Sequence, residues 1–107
     1  MLLQGKNAIV TGARSGIGLA TVHLFAKNGC NCWAVVHRDD DKFLAKIAQW
    51  QEKYNVWIKP IHIDLSESES IKAGMKQIMQ EKLHIDVLVN ASLPEMPEEF
   101  EAKPDDH

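Results

Sequence analysis

Tyrosine is almost missing from this chain of 107 residues: Tyr54 is the single one, beside three tryptophans and three phenylalanines. A reaction that needs a phenol as proton donor therefore has one candidate within the sequence. Cysteine is nearly as scarce. Cys30 and Cys32 stand one residue apart, too close on one short strand for a useful cross-link, so a disulfide-stapled fold is excluded. Met1-Leu2-Leu3-Gln4 is far too short for a signal peptide, and with reduced thiols this predicts a cytoplasmic protein. No apolar run approaches the roughly 20 residues of a membrane span. The five histidines are scattered without metal-ligand spacing, so no metal is expected. A basic excess is lacking too: the formal net charge is −3, which argues against nucleic acid as a partner.

The charge is unevenly spread. Residues 1–90 carry eleven Lys/Arg against nine Asp/Glu, a balance of +2, whereas residues 91–107 carry one Lys against six Asp/Glu, a balance of −5. Three of the four prolines, Pro94, Pro97 and Pro104, fall in that second stretch. It can continue neither helix nor strand, and it has too few apolar residues to bury itself. One folded unit over 1–91 and a disordered acidic tail over 92–107 are predicted.

Within the folded unit, strand and helix patterns alternate. Ala8–Val10 is a short apolar run. A helix is expected from about Ser15 to Asn28, with Ile17, Ala20, Leu24 and Phe25 inward and Gly29 as the stop. Cys30–Val36 reads as a strand buried on both faces. A second helix runs from Asp39 to about Tyr54, with Phe43, Leu44, Ile47, Trp50 and Tyr54 at helical spacing. Val56–Ile63 is a third strand, placed at a sheet edge by Pro60. Ser66-Glu67-Ser68-Glu69 has the form of a capping box. The helix that it opens, to about Lys82, turns Ile71, Met75, Ile78 and Met79 inward. Ile85–Val89 is a fourth strand. The pattern implies an α/β, Rossmann-like doubly wound parallel sheet in the order 3-2-1-4.

The junction of the first strand and first helix carries the most chemistry: Thr11-Gly12-x-x-x-Gly16-Ile17-Gly18. Glycines let the backbone turn tightly and approach a ligand, and the helix start offers unpaired N–H groups with a positive dipole end. Strand, glycine loop and helix in this order point to the pyrophosphate of a dinucleotide. The spacing resembles that of the short-chain dehydrogenase/reductase family, in particular its 3-oxoacyl-[acyl-carrier-protein] reductase-like branch. By that resemblance Gly12, Arg14, Ser15, Gly16, Ile17 and Gly18 belong to the cofactor site.

The choice of cofactor is read at the end of the second strand. A carboxylate there would accept hydrogen bonds from the adenosine ribose of NAD, whereas a 2′-phosphate calls for cations. The acidic position falls near Val36, and His37-Arg38 follows. With Arg14 inside the glycine loop, this favours NADP(H) over NAD(H). Asp64-Leu65 matches the Asp-Val or Asp-Leu that the family places beside the adenine amino group. Ile85-Asp86-Val87-Leu88-Val89-Asn90 looks like the family's fourth strand, and Asn90 is thereby implied at the cofactor ribose. The family continues Asn-Asn-Ala-Gly. This chain has Asn90-Ala91-Ser92, one asparagine fewer and a serine where the glycine stands.

Reductases of the family use a Tyr-x-x-x-Lys pair with a serine and an asparagine. Four positions beyond Tyr54 stands Ile58, so the pair is not present and no catalytic residue is assigned. Three readings follow. The chain is the cofactor-binding half of an NADPH-dependent carbonyl or 3-oxoacyl reductase, inactive alone. Alternatively, it is a non-catalytic NADP(H)-binding module that pairs with itself or another chain through the strand at 85–89. The third reading is a truncated gene product without independent function.

Overall fold

The computed structural model describes residues 3–92. Seven elements alternate: β1 (Asn7–Thr11), α1 (Gly16–Lys27), β2 (Asn31–Val36), α2 (Asp41–Tyr54), β3 (Ile58–His62), α3 (Ser68–Met79) and β4 (Val87–Asn90). The strands form one parallel sheet in the order β3-β2-β1-β4, as the alternating pattern implies. Apart from Ser92, the expected acidic tail lies outside the described residues.

The sheet separates two apolar layers, because successive side chains of a strand point to opposite faces. Val10, Cys32, Ala34 and Val36 face α1 and α2, where they meet Val22, Ala26, Phe43, Ile47 and Trp50. Ile9, Trp33 and Val35 face α3, and pack with Ile61, Ile63, Ile71 and Ile78. Trp33 is fully buried, and its indole N–H is satisfied by donating to Glu81 Oε2 at 3.2 Å. Glu81 also pairs with Lys59 on β3. These bonds hold its carboxyl below the usual range against the opposing effect of burial, with the bond from Lys59 the largest cause.

At the amino edge of the sheet a belt of side-chain amides sets the register. Asn31 Nδ2 donates to Asn7 Oδ1 at 3.0 Å, and Asn31 Oδ1 accepts from the Trp57 N–H at 3.0 Å. Asn7 Nδ2 donates to the carbonyl of His84 at 2.9 Å. Asp86 closes the belt: its N–H donates to the Asn7 carbonyl at 2.8 Å, while its carboxylate accepts from the Asn7 N–H at 2.9 Å. That side chain takes the donor a strand backbone would use, so β4 begins at Val87 and not at Ile85. β3 is likewise shorter than expected, because the Trp57 N–H is committed to Asn31. It lies at the sheet edge, with Pro60 tolerated there.

The helix faces depart from the simple apolar spacing. In α1 the buried residues are Gly18, Val22 and Ala26, whereas Ile17 is 76% and Leu24 55% exposed, and Ala20 is exposed too. The small side chains face the sheet because α1 must lie close to the loop before it. A Cβ on Gly18 would fall far inside van der Waals contact of the Gly12 carbonyl oxygen. In α2, Phe43, Ile47 and Trp50 are buried as expected, Leu44 is exposed and Tyr54 half-buried. Gly74 takes an inward place in α3 against Ile63, while Met79 is 64% exposed. α3 ends at Met79. The N–H groups of Glu81 and Lys82 then bond three residues back, to Ile78 and Met79, as a tightened final turn does. α1 closes with the N–H of Gly29 on the Ala26 carbonyl and that of Cys30 on the Phe25 carbonyl, a pattern that satisfies its last acceptors.

Among the described residues, no helix is long and apolar enough to cross a membrane. Because the Gly12–Gly18 contact leaves no room for a methyl group and the obstruction is backbone, Gly18→Ala is expected to destabilise the fold by about 1–3 kcal/mol. Urea unfolding followed by far-UV circular dichroism measures this.

Candidate functional site

All predicted site residues stand at the carboxyl ends of the strands, in the loops that follow or, for Gly16, Ile17 and Gly18, in the first turn of α1. β1 and β4 are neighbours, while the chain leaves β1 toward β2 on the other side. Such a reversal of direction opens a crevice at the sheet edge, where α/β proteins take ligands.

The glycine loop is built for close backbone contact. Gly12 and Gly16 have φ of +60° and +58°, a left-handed conformation that costs other residues steric strain. A Cβ on Gly12 would lie 2.9 Å from Ser92 Oγ and 3.1 Å from the Ala91 carbonyl oxygen, so the turn after β4 occupies that space. A Cβ on Gly16 would meet nothing within 4 Å; that face of the loop is open. The Ala13 N–H donates to the Val35 carbonyl at 3.1 Å, which anchors the loop to β2. Ser15 is the extended N-cap residue of α1 and its side chain makes no capping bond. The first N–H groups of α1, from Gly16 to Gly18, have no carbonyl within the helix to receive them. They and the positive helix end can take an anion. Ile17 stands exposed beside this opening.

Arg14 reaches toward α2. Its Nη1 lies 3.4 Å from Asp40 Oδ2, and Asp40 Oδ1 caps α2 by accepting from the Phe43 N–H at 2.8 Å. Between the loop and the start of α2 is a cleft of about 340 Å³, lined by Arg14, Ser15, Gly16, Asp40, Lys42 and Lys46, with Leu19 and Phe43 as apolar wall. The β2 end reads Val36-His37-Arg38: Val36 is buried, and His37 and Arg38 are exposed. Arg38 makes no ion pair or hydrogen bond among the described residues, and it does not line the cleft.

The loop after β2 is linked to the end of β3 and the loop beyond it by two histidine–aspartate contacts, His37 Nε2 to Asp64 Oδ2 at 3.6 Å and His62 Nε2 to Asp39 Oδ2 at 2.6 Å. Asp64 Oδ1 accepts from the Ser66 hydroxyl at 2.6 Å and from its N–H at 3.0 Å. Those bonds, with a smaller contribution from His37, hold the Asp64 carboxyl below its ordinary pKa, so it is ionised at neutral pH. Ser66 thus closes a turn on Asp64 and does not cap α3. The α3 N-cap is Glu67, without a side-chain bond, and the expected capping box does not form. Leu65 packs partly against the α3-side core.

At β4 the Asn90 side chain is fixed by Thr11, whose role the sequence pattern did not reveal. Thr11 is fully buried. Its hydroxyl donates to Asn90 Oδ1 at 3.0 Å and accepts from the Ala91 N–H at 3.1 Å. Asn90 Oδ1 also accepts from the Ser92 N–H at 3.1 Å, which leaves the Asn90 NH2 as the group able to donate outward. The signal was the first letter of the loop motif: a buried hydroxyl must find partners. The described residues include no group of three or more His, Cys, Asp or Glu placed to hold a metal. Burial pushes the Cys30 thiol up to about 11 and Cys32 higher still, so neither is a nucleophile at neutral pH.

Residues 6–106 match the sequence model of the short chain dehydrogenase family. The chain is 33% identical over 94 residues to an uncharacterized oxidoreductase of Schizosaccharomyces pombe, covering 86% of this chain and 35% of that protein. It is 35% identical over 91 residues to a 3-oxoacyl-[acyl-carrier-protein] reductase of Thermotoga maritima, covering 84% and 36% respectively. Among solved structures, the L-sorbose reductase of Gluconobacter frateurii complexed with NADPH and L-sorbose superposes with a TM-score of 0.72 at 30% identity, over 84% of this chain and 34% of that one. The chain spans about a third of the length of these relatives.

Thr11→Val keeps the shape of the side chain but removes a hydroxyl used as both donor and acceptor. It is expected to cost about 1–3 kcal/mol and to speed amide hydrogen exchange at Ala91 more than at Val22.

Proposed function

This chain belongs to the short-chain dehydrogenase family, and from that membership we propose that its folded unit, residues 1–91, binds NADP(H) for an oxidoreductase that interconverts carbonyl and hydroxyl groups. The observation that carries the reading is the glycine loop: α1 rests on the Gly12 carbonyl, while the Gly16 face is open and the Ser15 side chain leaves the first N–H groups of the helix uncapped. That cradle suits a pyrophosphate, held by the backbone of Ser15, Gly16, Ile17 and Gly18. Bound in it, a nicotinamide dinucleotide would supply hydride.

The chain's own residues divide the remaining work. Asp64, ionised and acceptor-only, receives a hydrogen bond from the adenine amino group, with Leu65 alongside. Asn90, its oxygen engaged by Thr11, donates its NH2 to a ribose hydroxyl. Preference for NADP(H) rests on the apolar Val36 at the end of β2 and on the cations Arg14, His37 (when protonated) and Arg38 nearby. A ribose-binding carboxylate has no place at Val36, and the cations favour the extra phosphate.

Chemistry needs a further set of residues. Tyr54 is half-buried on α2 against His23, away from the carboxyl edge, and Ile58 stands where a paired lysine would be. These 107 residues therefore bind cofactor without turnover by themselves. The buried free thiols suit a reducing compartment, which favours the cytoplasm. A second reading, pairing through β4, is favoured by one observation: among the described residues β4 is bonded on one side alone, to β1, and Leu88 is exposed.

Calorimetric titration of the purified chain tests the proposal. NADPH is expected to bind about tenfold tighter than NADH, the equivalent of one charge-assisted contact. Gly16→Asp, which puts a carboxylate on the open face of the loop, should abolish binding of both nucleotides. Equal affinity of the two for the wild type would remove the NADP preference, and unchanged binding by the variant would remove the loop as the site.

A further inference from the structure

The single tyrosine belongs to a cluster of rings, remote from the glycine loop, that joins α1 to α2. His23, in the second half of α1, lies flat on the indole of Trp50, with ring centroids 4.3 Å apart and planes 3° from parallel. Its Nε2 is 3.4 Å from the Tyr54 hydroxyl, and those two rings are tilted by 47° with centroids 6.0 Å apart. Trp50 and Tyr54 stand one turn apart and so share a face of α2. The three side chains clasp the C-terminal half of α2 to α1. Phe43 and Ile47 bury the first half in the core independently of this clasp.

Among the described residues, the charged groups that act on the imidazole are all cations. Lys27 follows His23 by one turn on α1, and Lys46 and Lys53 stand a turn to either side of Trp50 on α2. Lys53 Nζ lies 5.4 Å from the centre of the Tyr54 ring. α1 contains no acidic residue. On α2, Asp41 is at the far end, and Glu52 stands two positions from both Trp50 and Tyr54, on another side of the helix. Burial, then Lys27, Lys53 and Lys46, hold the imidazole below the ordinary histidine pKa. The indole face attracts a cation and the Tyr54 oxygen can accept from a protonated ring, but neither brings a negative charge to offset the three lysines.

We propose that this clasp is an acid-sensitive latch: the neutral imidazole fastens the C-terminal half of α2 to α1, and proton uptake by His23 loosens it. With the clasp open, His23 takes its proton at the ordinary value of about 6.5; with the clasp closed, only at lower pH. The contribution of the clasp is therefore fully present above about pH 6.5 and is lost progressively as pH falls from there through the closed-state value. Opening frees Trp50 and Tyr54 from α1. The sheet and the glycine loop stay in place, because the Gly12–Gly18 contact lies at the other end of α1.

Native-state hydrogen exchange of the full chain, corrected for the intrinsic effect of pH on exchange, reads the latch residue by residue. On lowering the pH from about 7.5 to 5.5, the amides of residues 50–54 should lose protection, while those of Val10 and Ala34 in the sheet keep theirs. The loss should follow the titration of the His23 ring, recorded by nuclear magnetic resonance in the same samples. His23→Phe keeps a flat ring on Trp50 but takes no proton, and should abolish the pH dependence of exchange at residues 50–54. K27Q/K53Q removes two of the three cations and should hold the latch closed to lower pH. Protection lost equally in H23F, or kept in the wild type after the His23 ring has titrated, overturns the proposal. Should H23F not fold, the wild-type exchange and ring titration decide by themselves.

Discussion

The first turn of α1 rests on the carbonyl of Gly12, and the rest of the molecule is arranged around that contact. It is possible only because residue 18 has no side chain. It brings α1 down onto β1 and β2, so that Val22 and Ala26, and not the larger Ile17 and Leu24, meet the sheet. The first amides of the helix, at the carboxyl edge, receive no bond from the Ser15 side chain. On the far side of the same loop, the space beside Gly12 is filled by Ala91 and Ser92, which ties the end of β4 to the end of β1. One backbone approach therefore fixes helix, loop and outer strand together.

The two edges of the sheet differ in how their polar side chains are satisfied. At the amino edge, Asn7, Asn31 and Asp86 satisfy one another and the backbone, giving a closed network with its amide groups turned inward. At the carboxyl edge, side chains are positioned by neighbouring groups but remain exposed or half-buried. Asp64 is bound by Ser66, Asn90 by Thr11, and Arg14 by Asp40. The Arg14–Asp40 pair is half-exposed on both sides, where an ion pair contributes little to stability. Its value lies in where it places the guanidinium.

The strand order, the edge position of β3 with Pro60, and the strand–glycine loop–helix unit were legible from residue pattern alone, since each rests on local spacing and backbone chemistry. What failed did so where a distant partner decides. The inward face of α1 followed the glycine loop and not the largest apolar residues. Ser66 turned to Asp64, so the capping box did not form. Asp86 replaced a strand residue with its carboxylate and shortened β4. Met79 and Leu24 read as core because they fall on a helical period, yet nothing in a single sequence says which elements cover them. Among the candidate site residues, the glycines, Asp64 and Asn90 were named from motifs alone. The cleft formed by Arg14 with Lys42 and Lys46 was not, because it joins two elements separated by a full strand.

The proposed ligand of the uncapped amides at the start of α1 is the pyrophosphate of a dinucleotide. The most direct test is the amide spectrum of the isotope-labelled chain during titration with NADPH. The largest shifts are predicted at Ser15, Gly16, Ile17 and Gly18, with smaller ones at Asp64 and Asn90 and none along the amino edge at Asn7 and Asn31. Saturable shifts centred on any other part of the molecule, with the loop amides unmoved, would mean that the cofactor binds elsewhere.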